Sequence, residues 1–295
     1  MKTLILGTAN IGLAYGTAVA RALPDEAQAL SLLNAAEVAG FEGLDTAAAY
    51  GLSECRIGRY FETHRQSALG VHTKLSPTLS RADEVPGALQ TARQQLQQPP
   101  SQILLHRWTQ KFADDGALWN SLRGARDAGQ CERIGVSVQS PAEALQALKE
   151  PHVDVIQLAY NLLDWRYETP EMRAALHAST ARIEVRSVFL QGLLTLGPQV
   201  RWPTLCEEYD PSVLHNHVAH HADLLTGGDP IDLCLRFVAS LDWVNALVVG
   251  ADTPQQVAAL AQTLAKGPLP DDAIEALRSE RPAVPEALLD PSQWL

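Results

Sequence analysis

The sequence has few cysteines, no long apolar run and no excess of basic residues, and each shortage excludes a class of protein. The four cysteines among 295 residues form no CxxC pair, so they predict neither a zinc site nor a disulfide framework. No apolar run approaches the ~18 residues of a membrane span, and the apolar start is broken by glycine and polar residues before a signal peptide is complete. With 23 basic against 34 acidic residues, the net charge of −11 disfavours an extended nucleic-acid surface. We therefore predict a cytoplasmic globular protein with reduced thiols, no membrane segment and no nucleic-acid partner.

What the sequence does have is a regular alternation of short apolar runs and longer amphipathic segments. Eight runs have the pattern of buried strands, at residues 3–7, 41–46, 69–74, 102–106, 133–137, 153–158, 182–187 and 245–250. Helical spacing occurs between them, for example at 25–40, 141–150 and 254–267. Eight strand–helix units in a chain of this length predict one domain of the α/β class, a (β/α)8 TIM barrel over residues 1–295.

Polar residues recur at the ends of these predicted strands at nearly constant spacing. Asp45, Lys74, His106 and Ser137 follow one another at intervals of 29, 32 and 31 residues, about one strand–helix unit each. Because the parallel strands of a barrel all end on the same rim, we expect these side chains to lie there together. A doubly wound open sheet is the alternative fold, but it favours GxGxxG after the first strand, and GTANIG lacks the middle glycine.

Two segments interrupt the alternation. Residues from about 190 to 229 contain no clear strand and many turn residues, which predicts a long insertion with short helices of its own. The tail from about 267 to 295 is rich in proline and acidic residues and is expected to run across the barrel. His217 and His221 share a helix face in the insertion, but the missing third ligand favours a solvated helix with surface histidines over a metal site.

The polar residues at the predicted rim form an acid–base set that needs no metal. A lysine ammonium favours the phenolate of a nearby tyrosine, which makes Tyr50 the candidate proton donor and Lys74 its tuning charge. Asp45 would hold Lys74 by an ion pair, and His106 would donate a hydrogen bond to a substrate carbonyl. A structural ion pair and a core histidine are the simpler explanations of these residues singly, and their common spacing favours catalysis.

Motifs along the whole chain resemble those of the aldo-keto reductases, (β/α)8 barrels that transfer hydride between a nicotinamide cofactor and a carbonyl or alcohol. The resemblance implies a catalytic tetrad of Asp45, Tyr50, Lys74 and His106, the set that the spacing also selects. The matching segments, in order, are LGTANIG, GLDTAAAYGLSE, VHTKLSP, ILLHRW, RIGVSV, VIQLAYNLLD, RSVFLQGLL and LVVGADTPQQV.

The resemblance also implies a site for NADP(H) or NAD(H). Ser137 and Gln157 would hold the nicotinamide carboxamide, and the segments after the seventh and eighth strands would hold the pyrophosphate and adenosine. Tyr15 and Trp108 are candidate substrate contacts, although aromatic side chains often only pack. The implied cofactor-binding residues are Gly7, Thr8, Ala9, Ser137, Gln157, Arg186, Ser187, Leu190, Gly192, Gly250, Asp252, Thr253 and Gln256.

Three residues depart from the family's pattern. Val138 stands where many members have asparagine, and Arg186 where many have a tyrosine that stacks on the nicotinamide, although a guanidinium plane can also stack. Asp252 would repel an adenosine 2′-phosphate, so NAD becomes a serious option beside NADP. The RSVFLQGLL and YNLLDWR segments resemble bacterial members associated with sugar metabolism, which implies a sugar-like carbonyl or hydroxyl substrate. The resembling family is commonly monomeric.

Three functions fit these observations. The first is an NAD(P)-dependent oxidoreductase that reduces a carbonyl to an alcohol, or the reverse, with Tyr50 as proton donor. The second is a nicotinamide-binding regulatory or scaffold protein with little turnover. The third is a barrel isomerase or lyase that uses Lys74 as a base or Schiff-base former. The number of matched cofactor positions favours the oxidoreductase.

Overall fold

The computed structural model of the chain describes residues 2–14, 16 and 22–294, and these residues form a closed barrel of eight parallel strands. The strands pair in chain order, and β1 pairs with both β2 and β8, which closes the barrel. The (β/α)8 prediction is therefore confirmed, and the open-sheet alternative is wrong. The strands are β1 Thr3–Gly7, β2 Gly43–Asp45, β3 Gly70–Lys74, β4 Gln102–Leu105, β5 Arg133–Ser137, β6 Val155–Ala159, β7 Arg182–Arg186 and β8 Ala246–Val249.

Ten α-helices occur in the part of the chain that the structure describes. Helices α5 to α9 each begin with proline after a Ser, Thr or Asp whose side chain accepts a backbone hydrogen bond, which fixes where they start. None of the described helices is long and apolar enough to cross a bilayer. The helices are α1 Glu26–Val38, α2 Ser53–Thr63, α3 Val85–Leu96, α4 Ala117–Asp127, α5 Pro141–Leu148, α6 Pro170–Ala178, α7 Pro211–Thr226, α8 Pro230–Ala239, α9 Pro254–Ala265 and α10 Asp271–Ser279.

Side chains of each strand alternate between the surrounding helices and the barrel interior, which we call the lumen. The outward-facing residues belong to the large apolar core beneath the helices. In the lumen, a separate apolar cluster contains Ile5, Ala246 and Val248. In most barrels of this type, bulky branched residues dominate the interior. Here, polar side chains occupy many of the other lumen positions. These residues are Thr3, Asp45, His72, Lys74, Gln102, Arg133, Ser137, Gln157, Arg182, Glu184 and Arg186.

The segment between β7 and α8 corresponds to the predicted insertion. It contains 3-10 helices at Leu190–Gly192, Gly197–Gln199 and Thr204–Cys206, and also the 16-residue helix α7, which is longer than the short helices expected. His221 on α7 is buried, and its Nε2 lies 3.3 Å from a carboxylate oxygen of Glu280, the residue after α10. The prediction of surface histidines is wrong for His221, because this face of α7 packs against the rest of the chain.

The C-terminal tail packs on loops at the end of the barrel where the strands finish. It forms α10 and two 3-10 helices, Glu286–Leu289 and Pro291–Gln293. Arg281 donates to the Leu162 carbonyl and to Glu168, both at 2.8 Å, and so joins the tail to the loop after β6. Trp294 is buried and donates its indole N–H to the Ala287 carbonyl.

Helices α2 and α3 are in close contact at Gly58, which gives a stability prediction. A Cβ at this position would lie 1.9 Å from the Gln95 carbonyl oxygen. We expect Gly58→Ala to lower the free energy of unfolding by about 1–3 kcal/mol, because the two helices must move apart. Urea denaturation measures the change.

The matched control is Gly124→Ala in α4. Apart from the backbone of α4 itself, no described atom lies within 4 Å of a Cβ built there, so alanine is expected to keep stability or raise it by up to ~1 kcal/mol. Equal stability of Gly58→Ala and the wild type would contradict the packing argument.

Candidate active site

A buried ion pair joins the C-terminal ends of β2 and β3. Lys74 Nζ donates to the two carboxylate oxygens of Asp45, at 2.6 and 2.7 Å, and to the Thr46 carbonyl at 3.2 Å. The two residues are 3% and 4% exposed. Burial opposes the charge of Lys74, but the Asp45 carboxylate outweighs it, and the pKa of Lys74 is raised above its ordinary value. The predicted pairing is present, and the ammonium stays charged.

Tyr50 lies on the turn that follows β2. The chain first stays alongside β3, where Ala48 N donates to the Lys74 carbonyl, and then turns toward α2. Gly12 packs against this turn so closely that a Cβ would lie 1.8 Å from the Tyr50 carbonyl oxygen. The turn brings the centroid of the Tyr50 ring to 5.4 Å from Lys74 Nζ.

Three buried hydroxyls hold the base of this turn. The backbone N and Oγ1 of Thr8 donate to the Asp45 carbonyl at 2.9 and 2.8 Å. Ser53 Oγ lies 2.7 Å from Thr8 Oγ1 and accepts from Thr46 Oγ1 at 2.9 Å. The cluster fixes Asp45 from the side opposite Lys74. The Thr8 hydroxyl, implied by resemblance as a cofactor contact, already has these internal bonds.

His106 follows β4 and meets Tyr50 edge-on. The two ring centroids are 6.0 Å apart, with an interplanar angle of 88°. Burial, and then the positive charge of Lys74, lower the pKa of His106 to about 4. Its Nδ1 is buried without a hydrogen-bond partner among the residues described. The ring is therefore neutral at pH 7 and can make a hydrogen bond, but it is a poor source of a proton.

Gln157 on β6 reaches Asp45 from across the lumen. Its Nε2 donates to Asp45 Oδ1 at 2.8 Å and to Glu184 Oε2 at 3.3 Å. Gln157 Oε1 is buried with no partner in the described structure. Ser137, its register neighbour on β5, is a buried residue whose hydroxyl makes no hydrogen bond within that part of the chain. A hydroxyl beside an amide oxygen is the complement of a carboxamide.

Arg186 ends β7 and extends toward the end of β5. Its guanidinium donates to the Val138 carbonyl at 3.1 Å and to Gln139 Oε1 at 2.8 Å. After burial and Lys74, the charge of Arg186 also lowers the pKa of His106, so it acts on the same site. Val138 therefore contributes its backbone carbonyl here, while its side chain belongs to the core.

Comparison with known proteins identifies the family of the chain. The model of the aldo/keto reductase family matches residues 3–281. The chain belongs to the aldo/keto reductase family. Its members are in general NAD(P)-dependent oxidoreductases that act on small carbonyl or sugar substrates.

Solved structures of this family resemble the chain over nearly its whole length. One is the holo form of the aldo-keto reductase AKR11C1 from Bacillus halodurans, with 22% identity, a TM-score of 0.77 and coverage of 98% of this chain and 95% of that one. Another is the glycerol dehydrogenase AKR11B4 from Gluconobacter oxydans, with 20% identity, a TM-score of 0.74 and coverage of 96% and 93%. At these identities the likeness shows the fold. A comparison with curated proteins finds no match.

In this aldo/keto reductase, the segment after β7 has an unusual backbone. Ser187, Leu190 and Gln191 have φ values of 61°, 47° and 53°, which non-glycine residues rarely adopt, and Gly192 follows at 94°. Strained backbone is concentrated at functional segments. The resemblance placed Ser187, Leu190 and Gly192 at the cofactor, and that role stays a prediction.

The turn after β8 joins the loop after β1. Gly250 leads into Asp252 and Thr253, and Thr253 caps α9 by accepting from Gln256 N at 3.2 Å. Asn10, beside Gly7 and Ala9, donates to the Ala251 carbonyl at 2.6 Å and to Asp252 Oδ1 at 3.2 Å. The first turn of a helix suits phosphate binding, whereas a carboxylate beside it disfavours a second phosphate.

The two aromatic candidates have different outcomes. Tyr15 lies outside the described residues. Trp108 is 3% exposed, and its indole N–H donates to Gln146 Oε1 at 2.8 Å. Contact of Trp108 with a substrate stays a prediction.

Sequence reasoning missed three buried lumen residues beside Gln157, namely His72, Gln102 and Glu184. The sequence does contain a signal for Glu184, because charged residues alternate with apolar ones in RIEVR at 182–186. That period of two places the three charges on one face of β7. The hydroxyl cluster had no comparable signal.

His106 gives a prediction about pH. Its pKa of about 4 lies below the ordinary 6.5, so the unfolded chain takes up a proton as the pH falls below 6.5, before the folded chain does. The stabilising contribution is complete above pH 6.5 and is lost as the pH falls toward 4. We expect the His106 ring to titrate by NMR with a midpoint near pH 4, and a midpoint near 6.5 would contradict its burial beside Lys74.

Proposed function

We propose that this aldo/keto reductase transfers hydride between a nicotinamide dinucleotide and a small, sugar-like carbonyl or alcohol, as a cytoplasmic monomer. The observation that carries the proposal is the convergence of Tyr50, His106 and the Asp45–Lys74 ion pair at one rim of the barrel. An ammonium, a phenol and a neutral imidazole together can polarise a carbonyl and deliver a proton to it.

The residues beside this convergence fit a nicotinamide cofactor. Gln157 Oε1 would accept from the carboxamide nitrogen, which would satisfy a buried acceptor, and the Ser137 hydroxyl would donate to the carboxamide oxygen. The strained segment after β7 and the α9 turn would hold the pyrophosphate and adenosine. When bound, the cofactor supplies or accepts the hydride, and the chain's own residues position the substrate and move the proton.

In the reductive direction, His106 and Tyr50 hold the substrate oxygen and Tyr50 delivers the proton. The neutral state of His106 supports this division, since a ring with a pKa of about 4 carries no proton to give at neutral pH. The Lys74 ammonium, 5.4 Å from the centroid of the Tyr50 ring, would attract the negative charge that the transfer leaves behind. Asp45 keeps the lysine in place throughout.

The two alternative functions have different support. A Schiff-base isomerase or lyase needs a neutral lysine, whereas Lys74 makes three hydrogen bonds and has a raised pKa, which argues against that chemistry. A regulatory nicotinamide-binding protein would keep the same geometry. Binding of NADH or NADPH without turnover across a panel of carbonyl and sugar substrates would favour it.

Tyr50→Phe tests the proton donor. We expect turnover to fall by at least about 100-fold, because the variant has no hydroxyl to protonate the substrate oxygen. The Kd of the cofactor, measured by fluorescence titration, should stay unchanged. Tyr60→Phe is the matched control, since the Tyr60 hydroxyl bonds to Glu37 away from the site. Wild-type turnover in Tyr50→Phe would rule out this mechanism.

Asp252→Asn tests the choice of cofactor. We expect wild type to bind NADH more tightly than NADPH, and the variant to narrow that preference roughly tenfold, because a carboxylate no longer faces the 2′-phosphate. Asp242→Asn removes one exposed charge just before β8, at the opposite end of the barrel, and is the control. Paired titrations with NADH and NADPH measure the ratio of their Kd values. An unchanged ratio in Asp252→Asn would contradict the placement of Asp252 beside the 2′-phosphate.

A further inference from the structure

The candidate site has a second carboxylate beneath it, on Glu184 in the middle of β7. Glu184 is fully buried in the lumen and is the register partner of Gln157 on β6. Neither the acid–base set nor the implied cofactor contacts include it. A carboxylate buried this deeply requires hydrogen-bond donors at both of its oxygens.

The structure provides those donors from three other lumen residues. Oε2 of Glu184 accepts from Gln102 Nε2 at 3.2 Å and from Gln157 Nε2 at 3.3 Å. Oε1 accepts from Arg182 Nε at 3.2 Å. His72 Nδ1 lies 3.5 Å from Oε1 without a hydrogen bond, and burial lowers the pKa of His72. Arg182 is therefore the cation bonded to Glu184, and the interaction with Gln157 is amide to carboxylate.

This arrangement fixes which way the Gln157 amide points. Its two amide hydrogens go to two different acids, Asp45 and Glu184. The reversed amide would place Oε1 against two carboxylate oxygens, and acceptors repel one another. Oε1 is therefore held as a buried acceptor that no described group uses. If Asp45 were the only acceptor, only one of the two Gln157 amide hydrogens would be bonded.

We propose that Glu184 is a positioning residue: acting through Gln157, it keeps an acceptor oxygen directed at the cofactor carboxamide. Glu184 itself touches neither cofactor nor substrate. The inference rests on the proposed function, since that function assigns Gln157 and Ser137 to a carboxamide. Its consequence is specific, because loss of Glu184 should weaken recognition of the nicotinamide half of the cofactor and leave the adenosine half unaffected.

The test compares NADH with ADP-ribose, which lacks the nicotinamide ring, in wild type and in Glu184→Gln. We expect the Kd of NADH to rise about tenfold, because the variant loses one of the two carboxylates that hold the Gln157 amide and leaves only Asp45 to oppose its reversal. The Kd of ADP-ribose should stay within about twofold. If wild type prefers NADPH, then NADPH and 2′-phospho-ADP-ribose replace this pair. Unchanged NADH affinity, or equal loss of both ligands in a folded variant, would overturn the proposal.

Two further variants separate positioning from stability. Gln102→Met removes the other amide on Glu184 without touching Gln157, and it should lower the melting temperature but keep the ratio of the two Kd values. In a Gln157→Met background, Glu184→Gln should cause no further loss of NADH affinity, since its effect passes through that amide. Additive losses would overturn the proposal.

Two other outcomes keep the result clear. If Glu184→Gln does not fold, the double variant Arg182→Gln/Glu184→Gln replaces it, because it removes the acid together with its bonded cation. The ratio of the Kd values of NADH and ADP-ribose is measured in the same way. A wild-type chain that binds neither NADH, NADPH nor ADP-ribose would contradict the proposed function itself. Failure of the further inference would look different: the wild type would bind NADH, and Glu184→Gln would change the Kd values of NADH and ADP-ribose by the same factor.

Discussion

The buried ion pair between Asp45 and Lys74 is the interaction on which the rest of the site depends. Taking a carboxylate and an ammonium out of water costs several kcal/mol per ion, and contact between them offsets this only when their other polar atoms are also bonded. Lys74 uses three hydrogen bonds, and Asp45 accepts one more from Gln157. Either residue without the other would be an uncompensated buried charge. Their identities are therefore constrained by folding as well as by chemistry, and the Tyr50 turn is built on them.

The polar lumen extends this constraint toward the other end of the barrel. A continuous series of hydrogen bonds runs from Lys74 and Asp45 through Gln157 and Glu184 to Arg182. Arg182 in turn donates to both carboxylate oxygens of Glu42 at 2.7 Å. Two cations, Lys74 and Arg182, lie among three carboxylates in this series, so the rim charges do not stand alone in an apolar barrel. Stability and the proposed chemistry therefore share the same side chains.

The fold and the centre of the site were predictable, because both follow from patterns that recur along the chain. Eight apolar runs gave the barrel, and the spacing of Asp45, Lys74 and His106 placed them on one rim. The contact of Gln157 with Asp45 was not predictable, since these residues lie 112 positions apart and meet only through strand tilt and register. His221 was misjudged because helix periodicity does not tell what packs on each face.

Three glycines that face the lumen have a consequence for how the sequence of this chain can change. A Cβ at Gly43 or Gly135 would lie 2.6 or 2.0 Å from a neighbouring carbonyl oxygen, and one at Gly70 would lie 3.0 Å from Ser101 Oγ. These positions therefore cannot gain bulk to fill space left by a smaller or apolar neighbour. A leucine in place of Glu184 would remove the acceptor for two amides before any other residue had adjusted. Variants in which only some of these polar lumen residues have become aliphatic should therefore be less stable than either the polar or the fully aliphatic barrel. We expect the lumen residues to be kept or replaced together.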